Sequence, residues 1–253
     1  MHLQQKSNQE EHWPKTCKHG KLQSPVALNK RFACHSDIPS LKFENFKKYK
    51  KCCIKNTGYT WNLTLPEHCH CDRPKISGAK LVGRYTLENL HVHWPAEHVI
   101  GEIRYDLEMH MVFYADRYRS FKESLIHPLG VAVLSIPFSE TLSTRSKNFK
   151  TISEAVKLVF EKPGRSTIIR NEEIDFYQFL PYDHRMFYHY FGSFTTPPCT
   201  EYVHWIVMNN AGNIAQLDLK DLKNVYDNHG ELVESNNRDI QPLNERIVTF
   251  KRV

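Results

Sequence analysis

Two imidazoles one residue apart are the first feature that could do chemistry. They lie in Leu87-Glu88-Asn89-Leu90-His91-Val92-His93-Trp94. If this segment is a strand, its side chains alternate faces, so His91 and His93 project from the same one. That separation suits two imidazoles converging on one tetrahedral ion, with Zn–N near 2.0–2.1 Å. A second segment, Leu107-Glu108-Met109-His110-Met111-Val112-Phe113, sets an apolar face (Leu107, Met109, Met111, Phe113) against a polar one carrying Glu108 and His110. Two such segments close in sequence read as antiparallel neighbours. Three histidines from two adjacent strands would leave a fourth coordination position open, which separates catalytic from structural zinc. The chain has 15 histidines, and an H-x-H pair alone is equally what a solvent-facing strand shows. No H-E-x-x-H helix is present to supply a protease-type base.

The elements that must position these residues read as mostly β. Short β-type runs recur at Tyr59–Leu65, Tyr85–Trp94, Tyr105–Tyr114, Leu129–Pro137 and Tyr202–Met208. Helical periodicity shows in Ile152–Phe160 and Asp218–Tyr226. The first fifty residues carry scattered prolines and read as irregular wrapping segments. No repeat or linker divides the 253 residues, and large β proteins often run this long as one domain. Ordinary globular composition excludes disordered, collagenous and low-complexity classes. No apolar run is long enough for a membrane-spanning helix. The start, Met1-His2-Leu3-Gln4-Gln5-Lys6, lacks an apolar signal region, so a signal is absent or has been removed or omitted. The net charge is +6, and its one dense run, Lys47, Lys48, Lys50 and Lys51 beside Tyr49, reads as a solvated strand edge. Nucleic-acid binding would need a continuous basic face, and none is expected.

The seven cysteines suit a secreted protein better than a cytosolic one, and their odd number leaves at least one unpaired within the chain. Four lie in two clusters, Cys52-Cys53 and His68-Cys69-His70-Cys71. Loop disulfides, free thiols and a soft-metal site all remain open for them, although the C-x-x-C spacing of structural zinc is missing.

Several segments in order give the chain a close likeness to a known family. They are Gln23-Ser24-Pro25-Val26, His91-Val92-His93-Trp94, Glu97-His98, Leu107–His110, Gly192-Ser193-Phe194-Thr195-Thr196-Pro197-Pro198-Cys199, Trp205-Ile206-Val207 and Gln241-Pro242-Leu243-Asn244. From about His12 to Phe250 the chain resembles the α-class carbonic anhydrases. The resemblance implies an α+β, mainly β, single domain (12–253, with 1–11 as a tail) built on a large twisted, mostly antiparallel sheet with peripheral helices. It implies a conical cleft with Zn2+ on His91, His93 and His110. Thr195 would accept a hydrogen bond from zinc-bound hydroxide and direct its own proton to Glu97. Thr196 would line the substrate's approach, and Asn89 and Glu108 would orient the ligand rings. Val112, Val133, Phe194, Val203 and Trp205 would form the apolar wall for carbon dioxide, and His98 would be a buried hydrogen-bonded histidine. The implied activity is reversible hydration of carbon dioxide to bicarbonate and a proton, by a carbonate dehydratase acting as a monomer. The alternative is a silent carbonic-anhydrase-like binding module, but such modules usually lose a ligand histidine. Cys17 and Cys199 match the family's disulfide in secreted members, which implies an extracellular setting.

The chain also departs from the pattern. Tyr59 stands where fast members carry a histidine proton shuttle, and a phenol with a pKa near 10 does not cycle readily at pH 7. Asn89 replaces a longer Gln, and Phe194 replaces a Leu, which narrows the pocket. Pro95-Ala96 is a shortened connection, and the W-x-Y segment that normally precedes His12-Trp13 is missing. Asn62-Leu63-Thr64 is a glycosylation sequon, but the family fold would put Asn62 on the cleft wall, where a glycan would obstruct the site.

Overall fold

A computed structural model describes residues 13–67, 72–142 and 144–252. The 1–11 tail and the His68-Cys69-His70-Cys71 cluster lie outside these described residues. The frame is a 13-stranded mixed sheet. Ten of its strands are labelled here: β1 Cys34–His35, β2 Cys53–Asn56, β3 Trp61–Thr64, β4 Tyr85–His93 and β5 Leu107–Ala115. The others are β6 Val131–Thr141, β7 Ser166–Ile168, β8 Phe187–Ser193, β9 Glu201–Met208 and β10 Thr249–Lys251. They lie in the order β7-β2-β3-β4-β5-β6-β9-β8-β10-β1. Only β6–β9 and β10–β1 along this path are parallel, so the sheet is mostly antiparallel.

Register places the chemistry. His110 pairs with His91 and Glu108 with His93 across β4 and β5. Asn62 of β3 continues the first row beyond His91, and Ser135 of β6 continues it beyond His110. The next row runs Asn89, Val112, Val133, Trp205 and Tyr190. Because strand side chains alternate, these rows share one face. The other face carries Leu90, Val92, Met109, Met111, Phe113, Leu134 and Ile136, all buried in the main apolar core.

Four α-helices are present among the described residues: α1 Lys15–His19, α2 Phe121–Ser124, α3 Lys147–Val156 and α4 Gln216–Leu222. Of these, α3 and α4 pack on the main core. α3 starts at a Ser146 cap whose hydroxyl accepts from the Phe149 N–H at 3.2 Å, and it buries Phe149, Ile152, Ala155 and Val156. Both long helices end short of their apolar stripes. Beyond their ends, Asn56 Nδ2 reaches the carbonyls of Phe160 at 2.7 Å and Tyr226 at 3.2 Å. Tyr226 N–H in turn donates to Phe160 O at 3.0 Å. Pairing between these two segments competes with further helical turns, and the apolar Val159 and Val225 stay buried without them.

The lysine run is a strand edge. Lys48–Lys50 pairs with Glu173–Asp175, burying Tyr49 and exposing its neighbours. Lys47 and Lys50 pair with Asp72 and Glu173. No described helix is long and apolar enough to cross a membrane.

Candidate metal centre

The site grows from the paired ends of β4 and β5. The three candidate ligand rings, His91, His93 and His110, offer nitrogens that all lie within 4.8 Å of one another. Each ring spends its other nitrogen on a fixed acceptor. His91 Nδ1 donates to Asn89 Oδ1 at 3.0 Å, so the shorter side chain still reaches the ring. His93 Nδ1 donates to the Asn236 carbonyl at 2.9 Å, and His110 Nε2 donates to Glu108 Oε1 at 2.7 Å. That leaves two Nε2 atoms and the His110 Nδ1 for a common ligand. His93 Nε2 is buried with no hydrogen-bond partner, a condition that normally carries a free-energy penalty unless something binds there.

Burial also sets the protonation. It holds His91 well below the ordinary imidazole value, helped by the neighbouring His93 and His110. It pushes His93 down to about 4 against the pull of the Asn236 carbonyl, and lowers His110 despite Glu108. All three are neutral at pH 7, the form that binds a metal. Three neutral imidazoles, each with its tautomer fixed by a second hydrogen bond, match the donor set and orientation that zinc requires.

Two buried carboxylates flank the rings. Burial alone would raise Glu108, but His98 and His110 outweigh it and hold it well below the usual range. Its oxygens accept from His98 N at 2.7 Å, His98 Nδ1 at 2.6 Å, His110 Nε2 at 2.7 Å and Ser135 Oγ at 2.6 Å. His98 therefore has a structural place, completed by Nε2 on Tyr190 Oη at 2.7 Å. Glu97 differs. Burial raises its pKa, and His110, the Arg238 N–H and the Thr195 hydroxyl pull it part of the way back. Arg238 N donates to Glu97 Oε1 at 2.9 Å, while Oε2 meets no donor in hydrogen-bonding geometry.

The threonine pair comes from the turn after β8. Just before that turn the β8–β9 register shifts after Gly192, where an added Cβ would stand 2.7 Å from Trp205 Cδ1 and 2.8 Å from Tyr190 Cε2. The turn is held by Ser24, whose Oγ accepts from Ser193 N at 3.1 Å, and by the Cys17–Cys199 disulfide. Arg238 ties the same parts together, donating to Cys17 O, Ser24 O and Gln23 Oε1 at 2.6–2.9 Å.

A cavity of about 640 Å³ opens over the rings, with Asn89, Val112, Val133, Phe194, Thr195, Thr196 and Trp205 on its wall. Tyr59 and Asn62 also line it. The Tyr59 hydroxyl donates to the Asn236 carbonyl at 2.5 Å, the same oxygen that receives His93. Val203, two residues from Trp205 on β9 and opposite Gly192, is buried in the same apolar cluster as Val112, Val133 and Trp205. Trp13 and Phe121 line the cavity without having been foreseen. Asn236 and Arg238 were also missed. Their signal was a polar run, Asn236-Asn237-Arg238-Asp239, just ahead of the matched Gln241–Asn244 segment.

Residues 8–252 match the family model described as eukaryotic-type carbonic anhydrase. The chain belongs to that family. Among carbonic anhydrases it is similar to carbonic anhydrase 6 of Bos taurus, 31% identical over 247 residues, covering 90% of this chain and 72% of the bovine protein. Carbonic anhydrase 6 of Homo sapiens is 30% identical over 259 residues, covering 94% of this chain and 79% of the human protein. A putative carbonic anhydrase 5 of Caenorhabditis elegans is 30% identical over 247 residues, covering 94% of this chain and 78% of the worm protein. The candidate metal centre formed by His91, His93 and His110 thus lies in a carbonic anhydrase fold.

Proposed function

We propose that this chain is a carbonate dehydratase that holds Zn2+ on His91, His93 and His110 and reversibly hydrates carbon dioxide to bicarbonate and a proton. The observation that carries the reading is the unpartnered, buried His93 Nε2 beside two rings whose remaining nitrogens are likewise uncommitted. Zinc held there would activate water as a nucleophile near neutral pH, the chemistry this family uses.

The chain's own residues do the rest. Val112, Val133, Phe194 and Trp205 give carbon dioxide an apolar wall beside the rings. Thr195 would accept a hydrogen bond from that nucleophile and direct its own proton toward Glu97, which would orient the nucleophile for attack. The backbone N–H of Arg238 keeps Glu97 in place for that role. Thr196 lines the path along which substrate enters and bicarbonate leaves. Asn89, Glu108 and the Asn236 carbonyl keep the rings in their ligand tautomers.

Proton export is the weak step. Tyr59 occupies the shuttle position, and its hydroxyl is already donated to Asn236 O. The proton therefore leaves chiefly through buffer entering the cleft. The disulfide supports an oxidising, extracellular setting. Residues 12–253 form the functional unit, acting as a monomer on a small substrate without nucleic acid.

Stopped-flow carbon dioxide hydration on protein loaded with one zinc per chain tests this, run at several imidazole concentrations. A rate that rises with imidazole and then saturates is expected. One bound zinc without hydration would instead identify a silent binding module. A rate independent of buffer would refute the account of Tyr59.

A further inference from the structure

On the sheet face opposite the metal centre lies a second pair of buried imidazoles that the proposed reaction does not use. Alternation along β8 sends Tyr190 toward the cleft and His189 and Phe191 the other way. His189 and His204 are almost fully buried, at 2% and 1% exposure. His189 Nε2 and His204 Nδ1 are 3.0 Å apart and share one hydrogen bond. His204 Nε2 is buried with no partner. A bare buried acceptor is tolerated better than a bare buried N–H. This favours His204 donating through Nδ1, which leaves the N–H of His189 on its own outer nitrogen, Nδ1.

His189 borders a cavity of about 510 Å³, a volume that suits a small organic ligand. Its walls include Leu129, Phe191, Tyr202 and Ile247, of which Ile247 is 72% and Tyr202 53% exposed. Leu129 and Tyr202 both hold left-handed backbone angles, φ 58° and 65°, and Leu129 N donates to Tyr202 O at 2.9 Å. For bulky residues such angles carry a conformational penalty and persist only where the surroundings enforce them. Here they shape one wall of the cavity.

The charges at its rim favour an anion. Lys80 Nζ donates to Thr249 Oγ1 at 2.8 Å, and no carboxylate lies within ion-pair distance of it among the described residues. Arg246 gives its hydrogen bonds to the carbonyls of Leu243, Phe191 and Pro242. The one acid on the lining, Glu245, is exposed.

We propose that this cavity binds an organic monocarboxylate with an apolar body. The carboxylate sits between the Lys80 ammonium and the His189 N–H, and the body lies against Phe191, Tyr202 and Ile247. The site is separated from the metal centre by the sheet, so the proposal stands independently of the activity above.

Octanoate is the probe, titrated into zinc-loaded, ring-labelled protein while the imidazole resonances are followed by NMR. Saturable shifts of His189 and His204 are expected below about 10 mM, a weak but specific affinity. They should persist when an aromatic sulfonamide fills the metal cleft. Loss of a charge-assisted hydrogen bond makes Lys80→Ala weaken octanoate by about tenfold or more, with carbon dioxide hydration unchanged. Octanol, without the charge, should bind at least as weakly. No saturable shift, equal affinities for wild type and Lys80→Ala, or abolition of the shifts by the sulfonamide would each overturn the proposal.

Discussion

Asn236 fastens the ligand-bearing end of β4 to the turn that carries Tyr59, and replacing it tests that arrangement. Its side-chain Oδ1 accepts from Trp94 N at 2.7 Å, and Nδ2 donates to Tyr59 O at 3.0 Å and Val92 O at 3.2 Å. Its backbone carbonyl receives both His93 and Tyr59. Asn236→Ala removes the three side-chain bonds. Val92 O keeps a partner, since Thr60 Oγ1 donates to it at 2.7 Å. The Trp94 N–H is left bare in a buried site, at a cost of about 1–3 kcal/mol, and the two other bonds add about 1 kcal/mol each. The total, about 3–5 kcal/mol, corresponds to a fall in Tm of roughly 6–20 °C for a chain of this size. The carbonyl that holds His93 also loses its anchor, so zinc affinity should weaken about 10- to 100-fold. Calorimetry on the chelator-treated protein measures the first effect, and competition with a chromogenic chelator measures the second. Asn236→Asp keeps the Trp94 acceptor and should fall between the two. An apo Tm within about 2 °C of wild type, together with a zinc affinity within twofold, would refute the reasoning.

Burial pushes His189 down to about 3 and His204 to about 4, so both are neutral in the fold. Below the ordinary value of about 6.5 the unfolded chain binds protons that the folded chain refuses. Stability is therefore intact above pH 6.5 and falls by about 1.4 kcal/mol per pH unit for each histidine as the pH drops toward the folded values. Urea titrations between pH 7 and 5 should show a steeper loss for wild type than for His204→Phe, and equal slopes would contradict it. Phe194→Leu removes bulk from the cleft wall and should tighten a bulky aromatic sulfonamide by about tenfold, measured by calorimetric titration; unchanged affinity would mean that Phe194 does not limit the pocket. Asn62 lines the cavity with its Oδ1 buried, so peptide mass spectrometry of protein from a glycosylating host should find it unmodified, and a glycan there would contradict that placement.

Much of the candidate site is local in origin and was legible for that reason. His91 and His93 share a face because strand periodicity is two, and Glu108 and His110 share one by the same rule. The apolar alternation of Leu107, Met109, Met111 and Phe113 shows which face of β5 meets the core. The order of the distant motifs carried the rest, including the Cys17–Cys199 bond. What the tertiary structure alone decided are contacts between segments far apart in the chain. Register placed His110 level with His91, and no local pattern fixes how two strands slide. Asn236 and Arg238 reach the site across 143 and 141 residues, through a backbone carbonyl and a backbone N–H that any residue could have supplied. The ends of both long helices were misjudged because the apolar periodicity runs on past them: the two segments pair, Tyr226 N donating to Phe160 O, and Val159 and Val225 stay buried without helical turns. A bulge after Gly192 shifts the β8–β9 register ahead of the threonine pair, an irregularity that alternation cannot foresee. Periodicity determines which way a side chain points relative to its own backbone; only packing among distant segments determines what it then meets.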